Sequence, residues 1–415
     1  MIRRLIAIGF IFGCTSIAWF VLAGVINTRT DAADQSLRQQ VERVWGAPQL
    51  QQPPSAIWTE RIARKINRTE NGKEVVKIVE DQFSRVLPLQ SGNVDVALRL
   101  DHRQKGLLWY ATYGVDFAAS YAIVNTSGAP REIEIALPFP SKNAVFDDLQ
   151  FELAGKAWLV APVAANDRIA GRVRLEPNER VTLRAGYRSQ GLDRWTYSFG
   201  EGVSEVRDFR MKVRTNFAEI DFPDGSISPA TKERDGAGWV LGWEFRRLVS
   251  GVTIAIGMPE KLQPGPLASQ IAVFAPVSLF FFIIVLLTIG VVKGVELHPM
   301  HFFFLAAAFF AFHLLFSYLA DQLSIHAAFL ISAIVSLALV TSYLRVVFGA
   351  RFAFFAAGAA QLLYLVLFSY AFFFKGLSGL AITVGAIVTL FVLMQATAKT
   401  RWNEVFALRA AAGAS

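Results

Sequence analysis

The sequence predicts a membrane α-helical bundle, one N-terminal plus five C-terminal transmembrane helices, with an inserted mostly-β domain that is β-sandwich-like. Three observations lead there. The 415 residues are 53% hydrophobic, more apolar and less charged than an ordinary soluble chain. The apolar residues gather in the first 26 positions and again after residue 270. Between them the pattern turns to strand-like alternation, punctuated by Gly, Pro, Asn and Asp.

The first apolar run covers 5–26, behind Arg3 and Arg4. It continues past Cys14 and Trp19 to Ile26, too long for a signal-peptide core, and no A-x-A-like site ends it. An uncleaved anchor is expected. "IFGC" is only a weak lipoprotein-like cue, because the apolar run does not stop at the cysteine. Five more runs follow, at 271–292, 300–320, 325–344, 352–374 and 377–398. Runs of about 20 apolar residues cross a bilayer core as helices. In lipid the backbone must satisfy its own hydrogen bonds, so helices are the expected form. The breaks "KGVELHP", "DQLS", "RVVFGAR" and "KG" are short, which makes neighbouring helices antiparallel.

Lys and Arg near the helix ends set the orientation. With the N-terminus inside, the inner side receives Arg3, Arg4, Lys293, Arg345, Arg351, Lys399, Arg401 and Arg409, and the outer short loops only Lys375. Tyr318 and Tyr370 then fall near outer span ends, and Tyr343 and Trp402 near inner ones. The organisation read from this is an anchor at 1–26, an outer β-rich domain at 27–270, a five-helix domain at 271–398 and a cytoplasmic tail at 399–415. The net charge of +8 is largely a topology signal: 32 of the 41 basic and 30 of the 33 acidic residues lie within 27–270, leaving 9 basic against 3 acidic elsewhere. Nothing in this distribution resembles a nucleic-acid-binding face. The one local basic run, "RIARKINR" (Arg61–Arg68), reads first as solvated surface and second as a headgroup contact.

The outer region opens with a polar, helix-compatible stretch, "DAADQSLRQQVERVW", which Gly46, Pro48, Pro53 and Pro54 break. From about Val75 the period becomes two. Val94, Val96, Leu98 and Leu100 alternate with polar or small residues. Ile133, Ile135 and Leu137 do the same, as do "RVRLE", "RVTLRAGY" and Phe209, Met211 and Val213. Alternation with frequent turns predicts mainly antiparallel sheets with one face buried, in one domain or two subdomains. "MPEKLQPGP" (Met258–Pro266) reads as the hinge into the second membrane helix.

Cys14 is the only cysteine, which excludes disulfides and cysteine-based zinc, iron–sulfur or dithiol sites. No G-x-S-x-G, Walker lysine loop, G-x-G-x-x-G or H-E-x-x-H is present. His102, beside Asp101, is the one histidine of the outer region and reads as a solvated side chain in a charged turn rather than half of a catalytic pair. No catalytic residue, metal ligand or cofactor site is expected, and no enzyme activity.

The other four histidines sit in "VELHPMHFFFLAAAFFAFHLLFSYLADQLSIH". His298 precedes Pro299, a residue suited to the first position of a helix, so "LHPM" opens a helix at the inner interface. His313 lies about 20 Å along that helix at 1.5 Å per residue. An ionisable group at that depth is a functional candidate by default. Ser317 and Asp321 follow at four-residue steps, and His326 begins the next helix. His313, Ser317, Asp321 and His326 therefore form a candidate intramembrane polar cluster, with Gln361 and Tyr364 from the fifth span nearby. Three uses compete: a haem or metal pair, a proton or ion path, and interhelical polar contacts of structural value.

Residues 295–402, with Leu297, His298, Pro299 and Met300 opening one helix and Ser324 and His326 the next, resemble the CreD family of bacterial inner-membrane proteins. "VWGAPQLQQPP" (Val44–Pro54) is similar to that family's Gly/Pro-rich stretch, and over the β-rich middle the similarity is architectural. Ile325 stands where the family often has an acidic residue. The resemblance implies a multi-pass protein of the bacterial inner membrane, with a periplasmic domain and a non-enzymatic role in envelope integrity, in tolerance of certain colicins and stresses, under two-component control. The partners it implies are the lipid bilayer and an envelope protein, with no nucleic acid. A transporter or channel built on the helices is the first alternative, although no inverted repeat or broken helix pair is evident. A membrane enzyme or sensor whose outer domain binds lipid, glycan or peptide is the second.

Overall fold

The computed structural model describes residues 2–70, 73–142, 144–200, 204–295, 297–374 and 376–398; for 2, 61, 63–81 and 204–206 only the backbone is described. The chain divides into two compact units, Met1–Ser36 with Leu262–Ser415, and Leu37–Lys261.

The helical unit contains six helices long and apolar enough to cross a membrane. They are α1 (Ile2–Trp45), α2 (Pro264–Val292), α3 (Pro299–Leu319), α4 (Ile325–Phe348), α5 (Ala350–Phe373) and α6 (Ser378–Thr397). α1 does not stop where its apolar run ends. The polar stretch after Ile26 continues the same helix to Trp45, because nothing before Gly46 breaks it. Gly46 ends it with φ +96°, and a Cβ there would lie 2.2 Å from the Gln190 carbonyl oxygen. α2 begins at Pro264, seven residues before its apolar run, with prolines in its first turn. Pro276 lies inside α2 and the helix continues through it.

One apolar core joins these helices, including Trp19 of α1, Phe282 of α2, Phe309 and Phe316 of α3, Phe329 of α4 and Tyr364 of α5. The small-residue rows Ala353/Ala357 and Ala356/Ala360 are buried, and the start of α5 packs against α4. Close backbone approach at small residues is how membrane helices gain contact without a hydrophobic drive. Outward-facing Phe10, Ile6, Val346 and Phe355 stay exposed, as lipid-facing side chains do.

The β unit holds fifteen strands in three sheets among the described residues. A seven-stranded sheet has the order β13 (Thr231–Asp235), β14 (Gly238–Ser250), β12 (Ser204–Thr215), β4 (Ser91–Lys105), β5 (Leu108–Val124), β10 (Arg180–Leu192), β7 (Asp147–Ala154). A five-stranded sheet runs β3 (Lys73–Leu87), β2 (Ser55–Glu70), β6 (Arg131–Pro138), β9 (Arg168–Leu175), β8 (Val160–Ala165). A small sheet joins β1 (Gln49–Gln51), β11 (Arg194–Tyr197) and β15 (Ile254–Gly257). All three contribute to one core.

The alternating residues fall where alternation puts them. Val94, Val96 and Leu98, Ile133, Ile135 and Leu137, and Phe209, Met211 and Val213 are all buried, and Leu100 is partly so. Two pairings depart from the antiparallel expectation. β12 runs parallel to β4, with Phe209 opposite Gly92 and Thr215 opposite Leu98, and β1 runs parallel to β11. Strands also begin earlier than Val75. β2 carries the basic run Arg61–Arg68, whose side chains, Ile62 excepted, lie outside the described residues. Only Ser55–Ile57 of β2 pair with β6, while its whole length pairs with β3. Its start is buried at Ala56 and Trp58, and beyond Ile57 its ladder partner is β3 alone.

Candidate functional site

The helix-opening motif behaves as a cap. His298 has extended backbone, φ −70° and ψ 149°, and its side chain accepts the Met300 N–H at Nδ1, 3.2 Å. Pro299 occupies the first helical position, where its missing N–H leaves nothing unpaired. One turn on, His301 Nδ1 lies 2.7 Å from the Tyr343 hydroxyl, linking α3 to α4.

His313 is 2% exposed. Its Nδ1 donates to the Phe309 carbonyl of its own helix at 2.8 Å, and its Nε2 has no partner. The ring meets Trp19 of α1 edge-on at 5.3 Å and Phe312 at 4.9 Å. Ser317 bonds back to the Leu314 carbonyl at 2.8 Å. Asp321 forms an ion pair at 2.8 Å with Arg29 of α1, whose guanidinium also lies over the Tyr318 ring. His326 stacks on Phe373 of α5 at 5.1 Å.

The four residues are thus engaged separately, and among the described residues no hydrogen bond or ion pair joins any two of them. The reason is local. His313 turns down its own helix toward a carbonyl one turn back, and Asp321 meets a cation supplied by α1. Among the described residues no three His, Cys, Asp or Glu side chains group as a metal ion would require.

A different polar thread crosses the helical unit. Gln361 Nε2 donates to Ser336 Oγ at 2.8 Å, and Ser336 Oγ donates to the Ala308 carbonyl at 2.8 Å. Ser278 of α2 bonds the Tyr364 carbonyl, and Thr389 Oγ1 of α6 lies 2.9 Å from the Tyr364 hydroxyl. α5 is wound as π-helix at Ala353–Gly358 and Leu362–Leu367, on either side of Gln361. Gln361 Oε1 is buried without a partner. The sequence offered Gln361 and Tyr364 as neighbours of His313; the structure gives them their own partners.

The β unit carries an aromatic cleft of about 300 Å³. Tyr121, Tyr197, Phe199 and Phe209 line it, with Pro53, Pro54, Leu87 and Leu89. The rings pack on one another: Tyr197 to Phe199 at 5.6 Å, Phe199 to Phe209 at 5.1 Å. The Tyr121 and Tyr197 hydroxyls are 3.1 Å apart, and burial pushes both above the ordinary phenol value. Beneath them Gln51 accepts from the Tyr187 hydroxyl at 2.7 Å, and Gln49 donates to Ser189 Oγ at 3.0 Å. Phe209, Pro53 and Pro54 entered the sequence reading only as strand alternation and helix breakers, and Tyr121, Tyr197, Phe199, Leu87 and Leu89 did not enter it as candidates. Their signal was the aromatic alternation "TYSFG" beside the Pro-rich "QQPP". His102 is not paired with Asp101: its Nε2 lies 2.7 Å from the Pro259 carbonyl oxygen, while Asp101 binds Arg103.

Six helices long and apolar enough to cross a membrane, with a separate mostly-β unit inserted between the first and the other five, match the make-up of a multi-pass membrane protein. No protein-family model matches the chain, and no curated protein is similar to it. Solved structures give only faint likenesses. A nutrient binding protein of Legionella pneumophila is 10% identical with TM-score 0.32, covering 48% of this chain and 71% of that one. An M1 zinc metallopeptidase of Deinococcus radiodurans is 11% identical with TM-score 0.27, covering 41% of this chain and 42% of that one. Likenesses at that level carry no argument about this chain.

Proposed function

We propose that this chain is a CreD-like protein of the bacterial inner membrane, with both termini cytoplasmic and residues 27–270 periplasmic. It acts in cell-envelope integrity or stress tolerance by binding an envelope component through its β domain, and not as an enzyme. The observation that carries the binding role is the aromatic cleft, concave and apolar with few polar groups, the character of a ligand site. The orientation rests on eight basic residues at one set of helix ends against one at the other. Deleting the gene in its source cell should raise sensitivity to detergent and envelope stress, with restoration by the wild-type chain but not by a cleft-filling Leu89→Trp variant present at normal membrane levels. Unchanged sensitivity in the deletion strain would overturn the envelope role.

The transporter reading draws on the Ser336–Gln361 thread and the π-wound α5. Solute uptake into vesicles holding the purified chain, abolished by Gln361→Leu, would favour it over the binding role.

A further inference from the structure

The aromatic cleft adjoins a second cleft of different chemistry. This one, about 510 Å³, is lined by Arg180, Arg210, Arg246, Asp208, Glu244 and polar residues of β4, β5 and β10. The two share Ser91, Gly92 and Phe209. Strand register explains how they meet. β4 begins at Ser91, opposite Ala122 of β5, and Gly92 lies opposite Phe209 of β12. Both neighbours run past that start: β12 back to Ser204 and β5 on to Val124. The sheet therefore has a notch where β4 is missing between them. Phe209 and Tyr121 turn into the core on one side of the sheet, whereas Asp208 and Arg210 are exposed.

Asp208 stands at the notch with φ +40°, a strained backbone for a residue with a side chain, of the kind that gathers at functional sites. Charge marks the same place. Arg210 is paired with Glu244 at 2.9 Å, but Arg180 and Arg246 have no hydrogen-bond or ion-pair partner among the described residues. Arg207 adds a fourth guanidinium on the aromatic side. Among the described residues this second cleft is lined by three arginines, Arg180, Arg210 and Arg246, and two carboxylates, Asp208 and Glu244.

We propose that the notch binds a single-chain, phosphate-headed lipid, its acyl chain in the aromatic cleft and its head among the arginines. Planar guanidiniums suit phosphate oxygens, and the aromatic cleft takes a chain without polar demands. This rests on the binding role proposed for the β domain and names the class of ligand. Full-length protein in zwitterionic nanodiscs would be photolabelled with a lysophospholipid of phosphate head and diazirine-bearing chain, and in parallel with a neutral monoacylglycerol of the same chain. The phosphate probe should label residues within 86–92, 197–199 or 207–211, and the neutral probe should label them far less. Arg180→Glu with Arg246→Glu should weaken labelling about tenfold, the loss of charge-assisted hydrogen bonds. Both arginines are exposed, and the paired Ala variants provide a second, milder set.

Labelling confined to 262–398, equal labelling by the neutral probe, or no effect of either arginine set would each overturn the proposal. The envelope phenotype is read separately: a sensitive deletion strain with an unlabelled cleft removes the lipid and keeps the envelope role.

Discussion

At the residue scale, His313 is the sharpest case. A buried polar atom without a partner costs stability, and His313 Nε2 has none. Its Nδ1 bond goes to a carbonyl of its own helix, so among the described residues no interhelical hydrogen bond depends on it, and a leucine can keep the apolar contact with Trp19. His313→Leu should keep or raise the thermal midpoint of the detergent-solubilised chain, with membrane levels unchanged. A drop of several degrees would show that the imidazole holds something further. In the β unit, Arg99 grips Asp116 and holds its carboxyl below the usual range. A carboxylate lowered in the folded state adds stability that is full above its unfolded value and is lost as pH falls through the folded one. The pair is well exposed, so its worth is at most about 1 kcal/mol. Arg99→Ala should lower stability by up to about 1 kcal/mol at neutral pH, and the difference from wild type should shrink and vanish as pH falls through the folded-state range of Asp116. That the sequence offered His313, Ser317, Asp321 and His326 as one cluster has a physical source. Spacing places residues on a face, but partners arrive from elsewhere in the chain, and Arg29 lies in the first helix.

At the level of elements, spans and alternating strands were legible because each is a local demand. Lipid requires an unbroken apolar run, and a half-buried strand requires every second residue to be apolar. Val94, Ile133 and Met211 all faced inward as their spacing required. The parallel pairing of β4 with β12 was not legible, since it joins strands far apart in sequence through register alone. The aromatic cleft escaped for the same reason: Leu87, Tyr121, Tyr197 and Phe209 come from four strands. In the helices, Gln361 ties α5 to α4 through Ser336. Interhelical hydrogen bonds in membranes average about 0.6 kcal/mol, with about 1.7 the upper end measured. Gln361→Leu should lower stability by that order, in unfolding measured within bilayers or mild detergent. A larger loss would mean that Ser336 cannot keep its bond to the Ala308 carbonyl alone.

For the whole molecule, the question is which side of the membrane each part occupies. Cys14 is the single cysteine, so a Cys14→Ser chain is a clean background for placing new thiols. Val145→Cys, at a site 82% exposed, should react in intact cells with a maleimide that cannot cross the inner membrane. Lys293→Cys, just after α2, should react only after the membrane is opened. The reverse pattern would invert the orientation. Legibility at this scale was mixed: charge bias and span count are written in composition, whereas the long α1 depended on the absence of a breaker between Ile26 and Gly46.

The π-wound stretches of α5 have a consequence of their own. Each admits a residue that a regular α-helix of the same length would leave out. Removing one residue within 353–358 should let that turn relax to α-helix with the phase of all that follows nearly kept, because the six residues of the wide turn sweep about the angle that five α-helical residues do at about 100° each. Gln361 and Tyr364 would keep both their chemistry and their partners Ser336 and Thr389. The wide turn itself thus becomes a variable separate from side-chain identity. If a one-residue deletion harms the chain more than Gln361→Leu does, the winding of α5 matters beyond the polar atoms it presents.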